Sequence, residues 1–246
     1  MNGEHKMKNF TTKLLALGLT ATIFACGLTA CKTEKKGSSN ANAETTQSEE
    51  TTQSNLGMWV ASESTEITAE IKGYFDEAIG EVDGYFYEPV ACLGTMVFGG
   101  TNYCLVCQPN VIAANAMNSL VITYIKVDIS GKASFLKDER LVLPGTENAD
   151  DNMVGSWAYA ESTEITPEIE AVMAKATETI TGETYEPVVY VGSQVVAGTN
   201  HAILCKATPS TSGLDTPASY VLLYIYEDLE GNCSITETET IQMKAT

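Results

Sequence analysis

Thr166-Pro167-Glu168-Ile169-Glu170-Ala171-Val172-Met173-Ala174-Lys175-Ala176 is the stretch on which the fold turns. Thr166 suits an N-cap. Pro167 suits the first helical position, where a missing N–H costs nothing, and the Glu168 carboxylate suits the positive helix end. Ile169, Val172, Met173, Ala176 and Ile180 then recur at helical spacing, which marks a face turned to a core. Beyond this helix the chain reads as strand. Val188–Val196 and His201–Ala207 flank a tight apolar turn, and Tyr220–Tyr226 and Ile235–Met243 flank Asp228-Leu229-Glu230-Gly231. One amphipathic helix followed by two hairpins predicts an antiparallel sheet curled around the helix, burying its stripe.

The same pattern occurs earlier in the chain. Gly57-Met58-Trp59 restarts as Gly155-Ser156-Trp157, and the copies then run without a gap to Cys107 and Cys205. Glu63 to Thr68 repeats as Glu161 to Thr166, Tyr87 to Val90 as Tyr185 to Val188, and Gly100 to Asn102 as Gly198 to Asn200. The helical stripe recurs as Ile71, Phe75, Ala78, Ile79 and Val82. A period of this length signals duplication of a structural unit. The expected organisation is a first domain at 57–143, a linker at 144–154 rich in acidic residues with Pro144 and Gly145, and a second domain at 155–246. Units of roughly 90 residues hold a modest single core and not a large enzyme domain.

The chain opens on Lys6, Lys8 and Lys13, then an apolar run from Leu14 to Leu28 that is short for a membrane span. It meets Leu28-Thr29-Ala30-Cys31, which resembles the lipobox of bacterial lipoproteins. The resemblance implies that residues 1–30 are a signal peptide, cut before Cys31, whose sulfur is then acylated. Residues 31–56 carry almost no apolar side chain and read as a flexible polar tether. The expected location is the bacterial cell surface or the periplasmic side of an envelope, held to the membrane through Cys31.

The net charge is −18, and it becomes more negative once the lysines of the leader are gone. A surface so acidic is not expected to hold nucleic acid or to dock on anionic lipid by charge. Besides Cys31 the exported part has Cys92, Cys104, Cys107, Cys205 and Cys233. Cys104-x-x-Cys107 has no second half, so no metal or other cofactor is expected. Cys92 and Cys104 stand symmetrically about Phe98 and read either as a cross-strand disulfide or as two small buried residues. Cys107 and Cys205 are equivalent and read as core.

The first hairpin of the second copy reads Gln194-Val195-Val196-Ala197-Gly198-Thr199-Asn200. Gln-x-Val-x-Gly between two strands, downstream of a helix, resembles the signature of the cystatin superfamily, and the longer run looks like the stefins in particular. Thr166-Pro167-Glu168-Ile169 and the glycine-containing trunk Gly155-Ser156-Trp157 are similar to theirs too. The likeness covers nearly all of 155–243. It implies an α+β fold: tandem cystatin-like domains, each a four- to five-stranded antiparallel sheet wrapped around one helix. It also implies a reversible, non-covalent inhibitor of papain-like cysteine proteases. In that family an N-terminal trunk and two hairpin turns form an apolar wedge that fills the active-site cleft.

On that likeness the protease-binding residues are Gly155, Trp157, Gln194, Val195, Val196, Ala197, Gly198 and Leu229. A wedge must be uncharged at its tip, because a charge carried into a cleft has to be desolvated, and Gln194 to Gly198 carries none. Ala197 and Gly198 let backbone approach closely. Glu230, beside Leu229, departs from the family's apolar second turn. Trp157 reads either as an aromatic anchor or, matched with Trp59, as a core plug. The small residues of the hairpin equally suit the closing of any sheet. In the first copy Met96-Val97-Phe98-Gly99-Gly100 replaces the motif, so the second domain is expected to carry the activity.

No catalytic constellation appears, and the chain is not expected to be an enzyme. His201 and Arg140 are the only histidine and arginine after the leader. His201 and Cys205 on one strand are separated by about 13 Å, too far for a nucleophile and its base, and His201 reads as a surface strand residue. A monomer is expected. The rival reading is a non-inhibitory cell-surface binding or spacer lipoprotein that uses the same fold as an interaction module.

Overall fold

The computed structural model describes residues 55–110, 119–146, 155–210 and 216–244. The leader, Cys31, nearly all of the tether and the segment 147–154 of the expected linker lie outside the described residues. The first copy contains β1 (Trp59–Ala61), α1 (Ala69–Ile79), β2 (Tyr87–Val97), β3 (Thr101–Pro109), β4 (Val121–Val127) and β5 (Ala133–Arg140). The second contains β6 (Trp157–Tyr159), α2 (Pro167–Thr177), β7 (Glu183–Val196), β8 (Gly198–Pro209), β9 (Ser219–Glu227) and β10 (Cys233–Ile241). Each copy makes one five-stranded antiparallel sheet, in the orders β1-β2-β3-β4-β5 and β10-β9-β8-β7-β6.

The helices start as their sequences dictate. Thr68 and Thr166 sit in extended backbone and accept from the amides of Ile71 and Ile169, and Pro167 occupies the first turn of α2. Ile169, Val172, Met173 and Ala176 are buried, whereas Ile180 is exposed beyond the end of the helix. In α1, Phe75 and Ala78 are buried and the other members of the stripe are half-buried.

The α+β expectation, a sheet wrapped around one helix, twice over, is corrected by the structure. The described chain is mostly β, with two five-stranded sheets and only two eleven-residue helices. Its largest core does not involve the helices. Leu93, Cys104, Val106, Ile122 and Tyr124 of the first sheet form one cluster with Val191, Leu204, Tyr220, Leu222 and Tyr224 of the second. The two sheets pack face to face, and α1 and α2 each cover an outer face through smaller clusters.

The physical reason lies in the middle strands. Val121–Ile125 and Tyr220–Ile225 are buried without interruption, so each strand is apolar on both faces. A helix of eleven residues covers one face only, and the other needs a second layer. Each fully buried Leu, Val or Ile contributes about 1.5–3 kcal/mol, so an uncovered face of this size is strongly unfavourable in water. Residues 51–246 accordingly form a single compact unit.

The copies are also tied by reciprocal tails. After β5, at the end of the sheet remote from the β2–β3 turn, the Leu141 amide donates to Leu120 O (2.9 Å). Leu143 then crosses to the second sheet. Its amide donates to Tyr159 Oη (3.2 Å), and a Cβ on Gly192 would stand 2.8 Å from its Cδ1 and 2.3 Å from Ala158 O. After β10, Met243 crosses back, where a Cβ on Gly94 would stand 2.7 Å from its Sδ and 2.5 Å from Val60 O. The Lys244 amide donates to Tyr124 Oη and its carbonyl accepts from Trp59 Nε1, both at 3.1 Å. The remote end of each sheet therefore lies beside the turn end of the other. The turns of the two copies sit at opposite ends of the sandwich.

The reading of Cys92 and Cys104 as disulfide partners is also overturned. The hairpin closes with Val97 opposite Thr101, so it is centred on Gly99 and not on Phe98, and Cys104 faces Gly94; a bulge between Cys92 and Gly94 then sets Cys92 opposite Leu105. Cys92 lies on the helix side and Cys104 between the sheets. All five cysteines among the described residues are free. Burial pushes the Cys107 and Cys205 thiols up to about 12 and raises Cys92 and Cys104 as well.

A shared core predicts one cooperative unfolding transition for both copies, and two separate denaturant transitions would contradict it. Leu143→Ala, which removes a fully buried crossing residue, is expected to lower the stability of the whole unit by about 2–5 kcal/mol in the same experiment. At neutral pH a thiol reagent is expected to modify the half-buried Cys233 well before the other four, which become reactive on denaturation. Mass spectrometry reads the order.

Candidate functional site

At one end of the second sheet three chain segments lie side by side. The β7–β8 hairpin closes at Val196 opposite Gly198, so Ala197 is its tip. On one flank β6 pairs with β7, with Trp157 opposite Gln194. On the other flank β8 pairs with β9, with Thr199 opposite Glu227, immediately before the β9–β10 turn that carries Leu229. The end is apolar and open. Val195 is 71% exposed and Leu229 79%, and Val196 and Ala197 are exposed with them.

The close approach of the two turns requires a glycine. Gly198 has φ +117°, and a Cβ there would stand 2.3 Å from Glu227 O and 3.0 Å from the ring of Tyr226. Tyr226 Oη donates to Ala197 O, so the tip carbonyl is held down by the neighbouring strand. The second turn is braced by its own carboxylate. Asp228 Oδ1 accepts from the amides of Glu230 (2.9 Å) and Asn232 (2.8 Å), and Oδ2 accepts from Asn232 Nδ2 (2.8 Å). The Asn232 side chain first, then the backbone N–H groups, hold the Asp228 carboxyl below the usual carboxylate range.

Of the residues singled out in the sequence, Gly155, Val195, Val196, Ala197, Gly198 and Leu229 all fall at this end. Two face elsewhere with part of their side chains. Gln194 Nε2 donates to Gly155 O (2.8 Å) while its Oε1 accepts from Asn200 Nδ2 (2.7 Å). Its amide thus straps the trunk to the hairpin. Trp157 is half-buried against the inter-sheet core, its ring edge-on to Tyr224 at 5.4 Å, as Trp59 is to Tyr124 at 5.6 Å.

His201 departs from its expected place on the surface. It is only 8% exposed, with Nδ1 at 3.1 Å from Tyr190 Oη and Nε2 at 3.3 Å from Glu227 Oε2. Both partners lie on strands adjacent to β8, and single-strand spacing does not reveal them. Asn200, Tyr226 and Asp228 are positioning residues that do not stand among the expected protease-binding residues. Asn200 and Asp228 had a signal, since Asn102 and Asp128 occupy the same places in the first copy.

The first copy has the same layout with different chemistry. Met96 stands where Gln194 stands and is buried, and Asn102 Nδ2 donates to the Met96 carbonyl (3.0 Å). Among the described residues no side-chain amide joins Gly57 to that hairpin, although its backbone N–H still reaches Val97 O (2.9 Å).

Gln194→Met, which copies the first repeat, is expected to cost about 1 kcal/mol and to speed amide exchange at Ser156 and Trp157 without changing the fold. The Asp228 brace has a defined pH sign. A carboxyl whose folded value is depressed stabilises the turn above its unfolded value, and that contribution is lost as pH falls through the folded value. Amides of Glu230 and Asn232 are expected to exchange faster on acidification, and Asp228→Ala is expected to reproduce the effect at neutral pH. Compared with known proteins, the chain matches no protein-family model and no curated protein.

Proposed function

We propose that the protein is a reversible, non-covalent inhibitor of papain-like cysteine proteases, acting through the turn end of the second repeat and held to a bacterial membrane through acylated Cys31. One observation carries the reading. Three segments from distant parts of the chain stand level and exposed at one end of a sheet: Gly155 and Val195–Gly198, which carry no charge, and Leu229, which lies between Asp228 and Glu230. The resemblance of Gln194–Asn200 to the cystatin-superfamily motif supports the same reading from the sequence.

The mechanism follows from rigidity and from what the edge omits. A cleft built to bind extended peptide accepts an apolar edge, and exposed Val195, Val196 and Leu229 supply area whose burial is favourable. The strap from Gln194 and the brace from Asp228 remove freedom that binding would otherwise have to remove. Cleavage is disfavoured because the tip backbone is fixed in the ladder, with the Ala197 carbonyl engaged by Tyr226, and is not free to be attacked. Glu230 at the rim adds a charge to be desolvated, so Leu229 contributes less than the hairpin.

The test is a titration of papain activity with the whole compact unit, because the second repeat alone would bare its half of the inter-sheet core. Tight, reversible inhibition is expected. Val195→Glu is expected to weaken it by about a hundredfold, since the side chain is exposed and the change leaves the core alone. Leu229→Glu is expected to weaken it by about tenfold. Absence of inhibition by folded protein at high micromolar concentration would exclude papain as the target class.

A further inference from the structure

The turn end of the first repeat carries an apolar group of its own. Gly57 N donates to Val97 O (2.9 Å), and a Cβ on Gly57 would stand 3.9 Å from the Phe98 ring. Gly100, with φ +123°, lies so close to β4 that a Cβ would stand 2.2 Å from Val127 O and 2.9 Å from Asp128 Cα. Leu56, Met58, Val97, Phe98 and Ile129 are thereby gathered at one end, and all are exposed, Phe98 at 62% and Ile129 at 93%.

This end differs from the second in two respects that point to an occupant. The charge around it runs against the acidity of the molecule. Lys126 Nζ stands 3.4 Å from the Cβ position of Gly99, and Lys132 closes the β4–β5 turn. The nearby Asp128 carboxylate is engaged by the amides of Ser130 and Lys132. At the other end the corresponding turn carries three carboxylates, Glu227, Asp228 and Glu230, against one lysine, Lys175, whose Nζ donates to Gly231 O (2.8 Å). Moreover, Gly57 at this end directly follows the polar stretch 31–56 that begins at Cys31.

We infer that the turn end of the first repeat is a membrane-contact foot that seats Phe98, Ile129, Val97, Leu56 and Met58 in the interfacial region of a lipid bilayer, with Lys126 and Lys132 beside anionic headgroups. Aromatic and aliphatic tips partition into the headgroup boundary, and basic residues beside them add attraction to anionic lipid. One weak contact of this kind does not hold a protein alone, but it adds to a covalent acyl chain as a second attachment. Because the two turn ends lie at opposite ends of the sandwich, seating the first directs Val195 and Leu229 away from the bilayer.

The test separates this inference from acylation and from protease inhibition. The chain from Lys32 onward, which lacks any acyl group and keeps the compact unit Thr51–Thr246 whole, is mixed with phosphatidylcholine vesicles with and without phosphatidylglycerol. Bound protein is measured by co-flotation, and circular dichroism checks the fold of each variant. Binding is expected to both vesicles and to be stronger with phosphatidylglycerol. F98E/I129E is expected to reduce it about tenfold, while V195E/L229E leaves it unchanged. K126E/K132E is expected to abolish only the preference for phosphatidylglycerol. Equal flotation of the wild type and F98E/I129E overturns the inference. So does a result in which F98E/I129E removes only the binding of a second papain molecule, or only self-association, without changing flotation. In that case a protease cleft or a second copy is the occupant.

Discussion

The structure depends on burying the inner faces of two sheets against each other. The middle strands are apolar on both sides, and each repeat owns only one short helix to cover them. Everything else follows from that shortage. The repeats must pack face to face, the tails beyond β5 and β10 must find room at the junction, and glycine is required at 94 and 192 where the tails and the trunk strands converge. The pieces are local, but the stability is joint.

Function, as proposed, is a by-product of where such a sandwich leaves its turns. An antiparallel ladder brings hairpins to its ends, and the ladder order β9-β8-β7-β6 places two turns and the trunk in one row. The side chains that decorate this row divide the work. Val195, Val196 and Leu229 offer surface, whereas Gln194, Asn200, Tyr226 and Asp228 spend their polar atoms on one another and on the backbone. A hairpin tip that carries no charge and has its polar groups internally satisfied has little to lose when water is removed from it, and the cost falls on Glu230 at the rim.

Much of this was legible from local rules. The N-caps Thr68 and Thr166, the stripe Ile169–Ala176 and the turn at Asp228–Gly231 are short-range features, and the chain folds them as the residues demand. What escaped was long-range. A run such as Tyr220–Ile225 announces burial on both faces but not what covers each, and a helix was the nearest candidate in sequence. The hairpin turns about Gly99 and not Phe98, which sets Cys104 opposite Gly94, and the bulge beside Cys92 then puts its thiol on the other face. His201 looked exposed because Tyr190 and Glu227 come from other strands. A motif in the sequence marks the candidate site, yet the internal roles of Gln194 and of Trp157 depend on neighbours that spacing does not name.

The reciprocal exchange of Leu143 and Met243 carries a further meaning. A single repeat would leave bare the face that its fellow covers, so the stable unit of this architecture is the pair. In a homodimer every substitution appears at both ends of the pair. Joining the partners in one polypeptide breaks that bond. One extremity is then free to keep an old surface while its twin drifts toward another task, with the hidden seam between them unchanged.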